Sequence, residues 1–226
     1  MATAVRLREL YDALLARFGP QHWWPAESPF EMMLGAVLVQ NTNWENVVRA
    51  LDNLRRPGWL DPGTLYRLSV DELAAAIRPA GYYNIKAKRL RNLLTWLHES
   101  HGGSVERLAD AYAGKPPRTR MERLREQLLE VSGVGRETAD CILLYGLGLP
   151  TFVVDAYTHR VLLRHRLIDA DADYETMREL FMSALPEDIP MWQEYHALLV
   201  AAGKHHCKPT PRCTGCPLEP FPHDDP

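Results

Sequence analysis

At 226 residues and 46% hydrophobic side chains, the chain has apolar material for one compact domain or two closely packed lobes, and it needs no disulfide staples. It contains no apolar run long enough to span a bilayer, and Met1 to Arg8 carries no signal-peptide pattern, so an intracellular (cytoplasmic) protein without membrane attachment is expected. A formal net charge of −3 excludes a globally basic nucleic-acid binder and leaves only local patches for such a role.

Taken in chain order, helical periodicity dominates. Val5–Phe18 places Leu7, Leu10, Tyr11, Leu14 and Phe18 on one side. Phe30–Val39 is almost continuously apolar and follows Pro29, which suits a first helical turn. Trp44–Leu54, Val70–Ile77 and Ala87–Ser100 read as further helices, with a Ser69-x-x-Glu72 capping box in this stretch. Arg120–Val131, Glu137–Leu147, Ala156–Arg164, Tyr174–Leu185 and Met191–Ala202 complete the set. No segment alternates as a strand requires, so the fold class is all-α. Pro57-Gly58, Pro62-Gly63, Pro79-x-Gly81, Gly102-Gly103 and Pro116-Pro117 mark breaks, and the Pro- and acid-rich tail from Pro217 is expected to lie loosely on the surface.

Two basic stretches stand out: Lys86, Lys88, Arg89 and Arg91, then Arg118, Arg120, Arg123 and Arg125. By charge alone they read as solvated helix faces. More informative is Leu128 to Ala139, where one helix ends, Gly133 and Gly135 bracket Val134, and another helix begins at Arg136. Glycines permit close backbone approach and positive φ, and N–H groups at a helix start make an anion site that suits a phosphate. Alone, such a turn is most simply a tight helix connection. Downstream, Val153-Val154-Asp155-Ala156-Tyr157-Thr158-His159-Arg160 puts an acid at the start of a basic amphipathic helix. As a plain N-cap, Asp155 would contribute roughly 1 kcal/mol and need no other role.

The hairpin followed by this aspartate resembles the endonuclease III branch of the helix-hairpin-helix DNA glycosylases, and the resemblance runs from the first helix to the terminal cysteines. It implies a base-excision enzyme acting on damaged double-stranded DNA. Gly133, Val134, Gly135 and Arg136 would grip the backbone, and Asp155 would face the flipped-out nucleotide. A carboxylate there stabilises oxocarbenium character on the sugar and orients or deprotonates water. The resemblance also implies two helical lobes: residues 23–148 as a helical barrel with the hairpin, and residues 1–22 with 149–226 as the second lobe. Asp155 and the tryptophans would face one another across the cleft between them.

One position departs from the family plan. Bifunctional members carry a lysine where Glu137 stands, and glutamate cannot form the Schiff base that leads to strand cleavage. The expectation is a monofunctional glycosylase, with Asp155 and Glu137 at the catalytic centre. The arrangement Trp23-Trp24-Pro25, Gln40-Asn41-Thr42, Arg78-Pro79-x-Gly81-Tyr82-Tyr83-Asn84-x-Lys86 and Gly135-Arg136-Glu137-Thr138-Ala139-Asp140 is similar to the 3-methyladenine glycosylases of endonuclease III type. That similarity implies that Trp24 and Trp44, with Trp23, sandwich an extruded alkylated purine, whose positive charge an aromatic face attracts. It further implies that Gln40 fills the gap left by the nucleotide, that Tyr82 wedges the opposite strand ahead of Asn84, and that Lys86, Lys88 and Arg136 meet phosphates. Without the family, each of these residues reads as core or surface.

Cys207-x5-Cys213-x2-Cys216 resembles the family's C-terminal loop for a 4Fe-4S cluster, a cofactor that closely spaced thiolates hold. The fourth cysteine, expected near Pro222, is absent, and Cys141 lies in the helix after the hairpin. His205, His206, His223 or Asp224 could complete the cluster, an iron corner could stay open, or the set could bind zinc as Cys3His or hold no metal. Rival functional readings are a bifunctional, mismatch or oxidised-pyrimidine glycosylase, and a weakly catalytic lesion-binding protein. Nothing points to a stable oligomer, so a monomer is expected.

Overall fold

The computed structural model describes residues 2–224, which are helical with loops and contain no strand. The chain divides into two compact units: the segment up to Trp23 together with Pro150 onward, and Trp24–Leu149. The first unit opens with α1 (Ala2–Phe18). The second holds α2 (Pro29–Leu38), α3 (Trp44–Arg55), α4 (Pro62–Arg67), α5 (Val70–Ala76), a 3-10 turn at Arg78–Ala80, α6 (Tyr83–His101), α7 (Val105–Asp110), α8 (Pro117–Glu130) and α9 (Arg136–Cys141). A π-helical turn over Ile142–Gly146 extends α9, and the first unit resumes with α10 (Ala156–Arg164), α11 (Tyr174–Ala184) and α12 (Ile189–His205). Among the described residues no helix is long and apolar enough to cross a membrane.

Local chemistry explains where the helices start. Ser28, Asn43, Asp61, Ser104, Asp155, Asp173 and Asp188 each accept a backbone N–H from the first turn of the helix they precede. Ser69 and Glu72 form a reciprocal capping box at α5. Two of the expected breaks are helix starts instead. Pro62 and Pro117 occupy the first helical position of α4 and α8, where proline lacks an N–H that the helix would not use. The periodicity missed α4 and α7 because six residues are too few to show a face. Helix α6 starts four residues earlier than its apolar pattern, immediately after Tyr82, which adopts a left-handed φ of 44°. The expected single helix from Glu137 to Leu147 changes to π geometry at Ile142.

In the first unit α12 is the buried spine, with α1 and α10 packed on it. The Tyr195 hydroxyl donates to the Leu7 carbonyl at 2.8 Å, and its ring meets Tyr11 edge-on at 5.2 Å. Phe152, just ahead of α10, stacks on Phe181 of α11 at 3.8 Å. Gly203 lets α10 approach α12 closely: a Cβ there would lie 2.3 Å from Tyr157 Cδ1 and 2.7 Å from its Cβ. The tail is not loose as far as it is described. Leu218 is buried, the Asp224 N–H donates to the Arg164 carbonyl at 2.8 Å, and Arg166 donates to the Asp224 carboxylate at 2.6 Å. The tail's apolar and polar groups thus have partners on α10 and its cap, which its composition did not disclose. Pro226, the last residue of that expected tail, lies outside the described residues.

In the second unit α2 is buried along its length, enclosed by α3, α6, α9 and the π-helical turn. Asp140 is fully buried and takes two hydrogen bonds from the Arg125 guanidinium, at 2.9 and 3.1 Å. This bidentate pair ties α8 to α9 across the hairpin.

The close approach at Gly203 generates a test. Gly203→Ala must displace Tyr157 near its backbone, so it is expected to destabilise the protein by about 1–3 kcal/mol, read as a lower urea midpoint at unchanged m-value.

Candidate functional site

Four constellations gather the candidate residues. Two lie in the first unit and two in the second.

Asp155 caps α10 in extended backbone, φ −132° and ψ −177°, after the buried run Phe152–Val154. Its Oδ1 accepts from the Thr158 N–H at 2.7 Å and the Thr158 hydroxyl at 2.9 Å. Its Oδ2 faces Nε2 of the buried His196 at 3.8 Å, an ion-pair distance rather than a hydrogen bond, and 13% of the aspartate side chain stays accessible. One oxygen is held by Thr158 and the other faces His196. Burial pushes the Asp155 carboxyl up, but His196 and the Thr158 donors outweigh burial and hold it below the usual carboxylate range. It is therefore a carboxylate at neutral pH. Sequence reasoning missed His196, although a histidine inside the apolar run Tyr195-His196-Ala197-Leu198-Leu199 was a signal.

The cysteine loop closes on the far end of α10. Arg160 donates to the Cys207 carbonyl at 2.6 Å, and Arg164 donates to Cys207 Sγ at 3.1 Å and to the Lys208 carbonyl at 2.7 Å. Cys207, Cys213 and Cys216 line one cavity together with His165, His206 and His223. Burial pushes the Cys216 thiol up, against a backbone hydrogen bond at Leu218 that pulls it down. Among the described residues no three such donors converge tightly enough for a single ion. Three thiols and several imidazoles around one cavity fit the donor set of an iron–sulfur cluster. Cys141 belongs to the other unit and is buried there.

In the second unit the hairpin is held from beneath. Gly133 has φ +100°, and a Cβ there would lie 2.2 Å from Arg89 Cγ, so both backbone and space require glycine. Gln40 Nε2 donates to the Gly133 carbonyl at 3.2 Å and to Thr138 Oγ1 at 2.8 Å, while Arg89 donates to Gln40 Oε1. Asn92 donates to the Ser132 carbonyl at 2.9 Å. Gln40 thus has both ends of its amide on the hairpin and its support, and filling a gap in DNA would break those bonds. Arg89, read at first only as part of a basic stretch, is the residue beneath the turn. Gly135 caps α9 with no side-chain hydrogen bond, and Arg136 and Glu137 are exposed in its first turn.

Two expected phosphate contacts require correction. Val134 is buried and its N–H donates to the Val131 carbonyl at 2.9 Å, so it is not a backbone donor to a phosphate. Lys86 is 1% exposed, and its ammonium donates to the Leu38 and Ala80 carbonyls, both at 2.7 Å. It closes the ends of α2 and the 3-10 turn and cannot reach a phosphate. Burial, with a smaller effect from Arg89, lowers its pKa to about 8. Lys88 is exposed, as are Asn84 and Tyr82, the latter at 67% and beside the exposed Ile85.

The aromatic constellation also differs from expectation. Trp24 and Trp44 are in direct edge-to-face contact, centroids 5.0 Å apart at 84°, with Tyr145 5.6 Å from Trp24. No base fits between rings so placed, so the sandwich is not present. Gly35 floors the pair: a Cβ there would lie 3.2 Å from Trp24 Nε1 and 3.3 Å from Trp44 Cη2. Trp23 belongs to the first unit, where Lys204 Nζ lies 5.7 Å over its ring. Tyr145 escaped the sequence reading because it sits mid-way in an apolar run; only the change to π geometry turns attention to it.

Residues 34–187 match the model of the HhH-GPD superfamily base excision DNA repair proteins. The chain is 42% identical over 213 residues, 94% of each chain, to a protein named a DNA repair glycosylase in Methanocaldococcus jannaschii. Its structure resembles that of the H. pylori 3-methyladenine DNA glycosylase bound to 1,N6-ethenoadenine, with TM-score 0.71, 29% identity and coverage of 89% of this chain and 97% of that one. It also resembles an endonuclease III trapped as a covalent intermediate with DNA, with TM-score 0.77, 26% identity and coverage of 96% and 94%.

Lys86 offers a test of its internal role. Lys86→Met leaves two buried carbonyls without a donor and is expected to lower stability by about 1–3 kcal/mol. The wild type's lysine has a folded pKa of about 8 against 10.5 for the free side chain. The unfolded chain therefore binds more protons between those values, and stability from this group rises with pH across that window. Urea titrations at both ends of the window should show that rise in wild type and its loss in the variant.

Proposed function

We propose that this chain, which belongs to the HhH-GPD superfamily of base excision DNA repair proteins, is a monofunctional glycosylase that hydrolyses the glycosidic bond of alkylated purines in duplex DNA. The observation that carries the reading is Asp155: a carboxylate with one oxygen fixed by Thr158 and the other beside His196, held ionised despite burial.

The target base must leave the stack before its glycosidic bond is accessible. Tyr82, exposed at a left-handed turn, enters the duplex, and Lys88, Arg136 and the hairpin glycines take the phosphates. An N3-alkylated purine carries positive charge, and the half-buried aromatic surface of Trp24, Trp44 and Tyr145 receives it from one side. The C1′–N bond breaks with its electron pair passing to the base, which leaves neutral. Asp155 stabilises the positive charge that builds on the sugar. Water attacks C1′, its oxygen forms the new bond, and its proton passes to Asp155. The products are free base and an abasic site. Glu137 supplies no amine, so no imine forms and the strand stays intact.

Cys207, Cys213 and Cys216 hold a 4Fe-4S cluster in this reading. A bound cluster would supply a cross-link through Cys207, Cys213 and Cys216 and so brace the loop that carries Lys208 and Arg212, away from the bond-breaking step.

A second reading, a strand-nicking glycosylase, draws on the likeness to the trapped covalent endonuclease III. The two separate on duplexes carrying 3-methyladenine, 7-methylguanine, uracil or thymine glycol. Alkylpurine release with no nick before alkali and no borohydride-trapped adduct is expected. Release of uracil or thymine glycol in place of alkylpurine would overturn the substrate class, and a trapped adduct would overturn the monofunctional chemistry. Asp155→Asn is expected to slow release by roughly 10²–10³-fold while DNA binding persists.

The neighbouring histidine is tested by pH. His196 helps hold Asp155 low, so His196→Phe raises that pKa and moves the acidic limb of the rate profile to higher pH. An unmoved limb would remove His196 from the mechanism.

A further inference from the structure

We propose that His223 supplies the fourth protein ligand to the iron–sulfur cluster held by Cys207, Cys213 and Cys216, making a Cys3His set. The proposal rests on the cluster reading above and goes beyond it, because three thiols leave one corner of a four-iron cluster without a protein donor.

The cavity that the three thiols line presents five other donors: Glu219, Asp224 and three histidines. Glu219 accepts the Gly215 N–H at 2.9 Å, and Asp224 is paired with Arg166 at 2.5 Å. His206 has its Nδ1 3.2 Å from the Arg212 carbonyl, and its ring lies against Phe18 at 6.2 Å. His165 lies behind the tail, its Nδ1 3.2 Å from the Pro222 carbonyl. His223 follows Cys216 on the same loop, where the chain returns to the cavity.

Two features prepare His223 for a metal. Its Nδ1 lies 2.7 Å from the Phe221 carbonyl, and a carbonyl only accepts, so the proton sits on Nδ1 and the lone pair on Nε2. A ring N–H tied to a carbonyl is the usual partner arrangement of a metal-bound imidazole; His165 and His206 share it at 3.2 Å, and His223 is set apart by its place after Cys216 on the loop itself. The backbone is also held on both sides of the residue. His165 holds the Pro222 carbonyl, and the Arg164 carbonyl and Arg166 hold Asp224.

The test uses the full chain purified without oxygen. Wild type is expected to hold roughly four irons with matching sulfide, and His223→Ala roughly three, with the EPR signal of an oxidised three-iron cluster. Pulsed EPR of reduced wild type should show coupling to a histidine nitrogen. His223→Cys should keep roughly four irons, lose the nitrogen coupling and fall in reduction potential, since a thiolate adds negative charge. This variant tests the ligand even if His223→Ala fails to fold. Unchanged iron content and potential in His223→Ala, nitrogen coupling retained in His223→Cys, or iron loss confined to His165→Ala would each overturn His223 as ligand. Zinc, or no metal, in wild type would overturn the cluster itself.

Discussion

The absence of a side chain at Gly203 governs the first unit. Without a Cβ, α12 accepts Tyr157 of α10 at a distance that any larger residue would forbid. Helix α10 then lies along the buried spine of the unit, and both of its ends become sites. At its start, Asp155 meets His196, two turns before Gly203 on α12. Toward its end, Arg160 and Arg164 hold the chain around Cys207. One close helix contact therefore positions the Asp155 carboxylate and the cysteine loop together, and interiors as dense as a crystal allow little play between the two.

Helix α6 has the corresponding role in the second unit. Its first turns send Lys86 inward to the carbonyl ends of α2 and the 3-10 turn, and Arg89 and Asn92 toward the hairpin. A buried ammonium is costly, and two charge-assisted bonds to carbonyls offset that cost. What is gained is a fixed geometry for groups that would otherwise be orphaned at helix ends. Gln40 joins the same network, so the hairpin is a braced turn rather than a free loop.

The aromatic constellation shows how packing alters a chemical reading. An edge-to-face pair of tryptophans is the arrangement that ring quadrupoles favour when nothing lies between them. Gly35 beneath the pair lets both rings settle onto α2. Such a surface offers a cationic base one electron-rich wall. In the alkylpurine reading proposed above, the substrate's own charge already weakens the bond to be broken, and its leaving group needs no proton.

Much of this protein was legible from its sequence because the signals are local. The caps at Ser69 and Asp155, the glycines of the hairpin and the crowding of Cys207, Cys213 and Cys216 involve groups only a few residues apart. Their hydrogen bonds and spacings are written into adjacent positions, and the all-helical class followed from them together with the periodicity. Short helices such as α4 and α7 escaped because one turn and a half shows no face. The tertiary structure alone decided which way the ambiguous side chains point. Lys86 looked like a surface cation, and only the Leu38 carbonyl, 48 residues away in sequence, explains why it turns inward. Likewise Trp24 meets Trp44, His196 meets Asp155 and Arg166 holds the tail beside His223 through contacts between distant segments. Helix propensity, capping and spacing act within a turn or two and carry no information about those contacts. Burial and charge pairing depend on which helices come together, and a single missing Cβ can decide that.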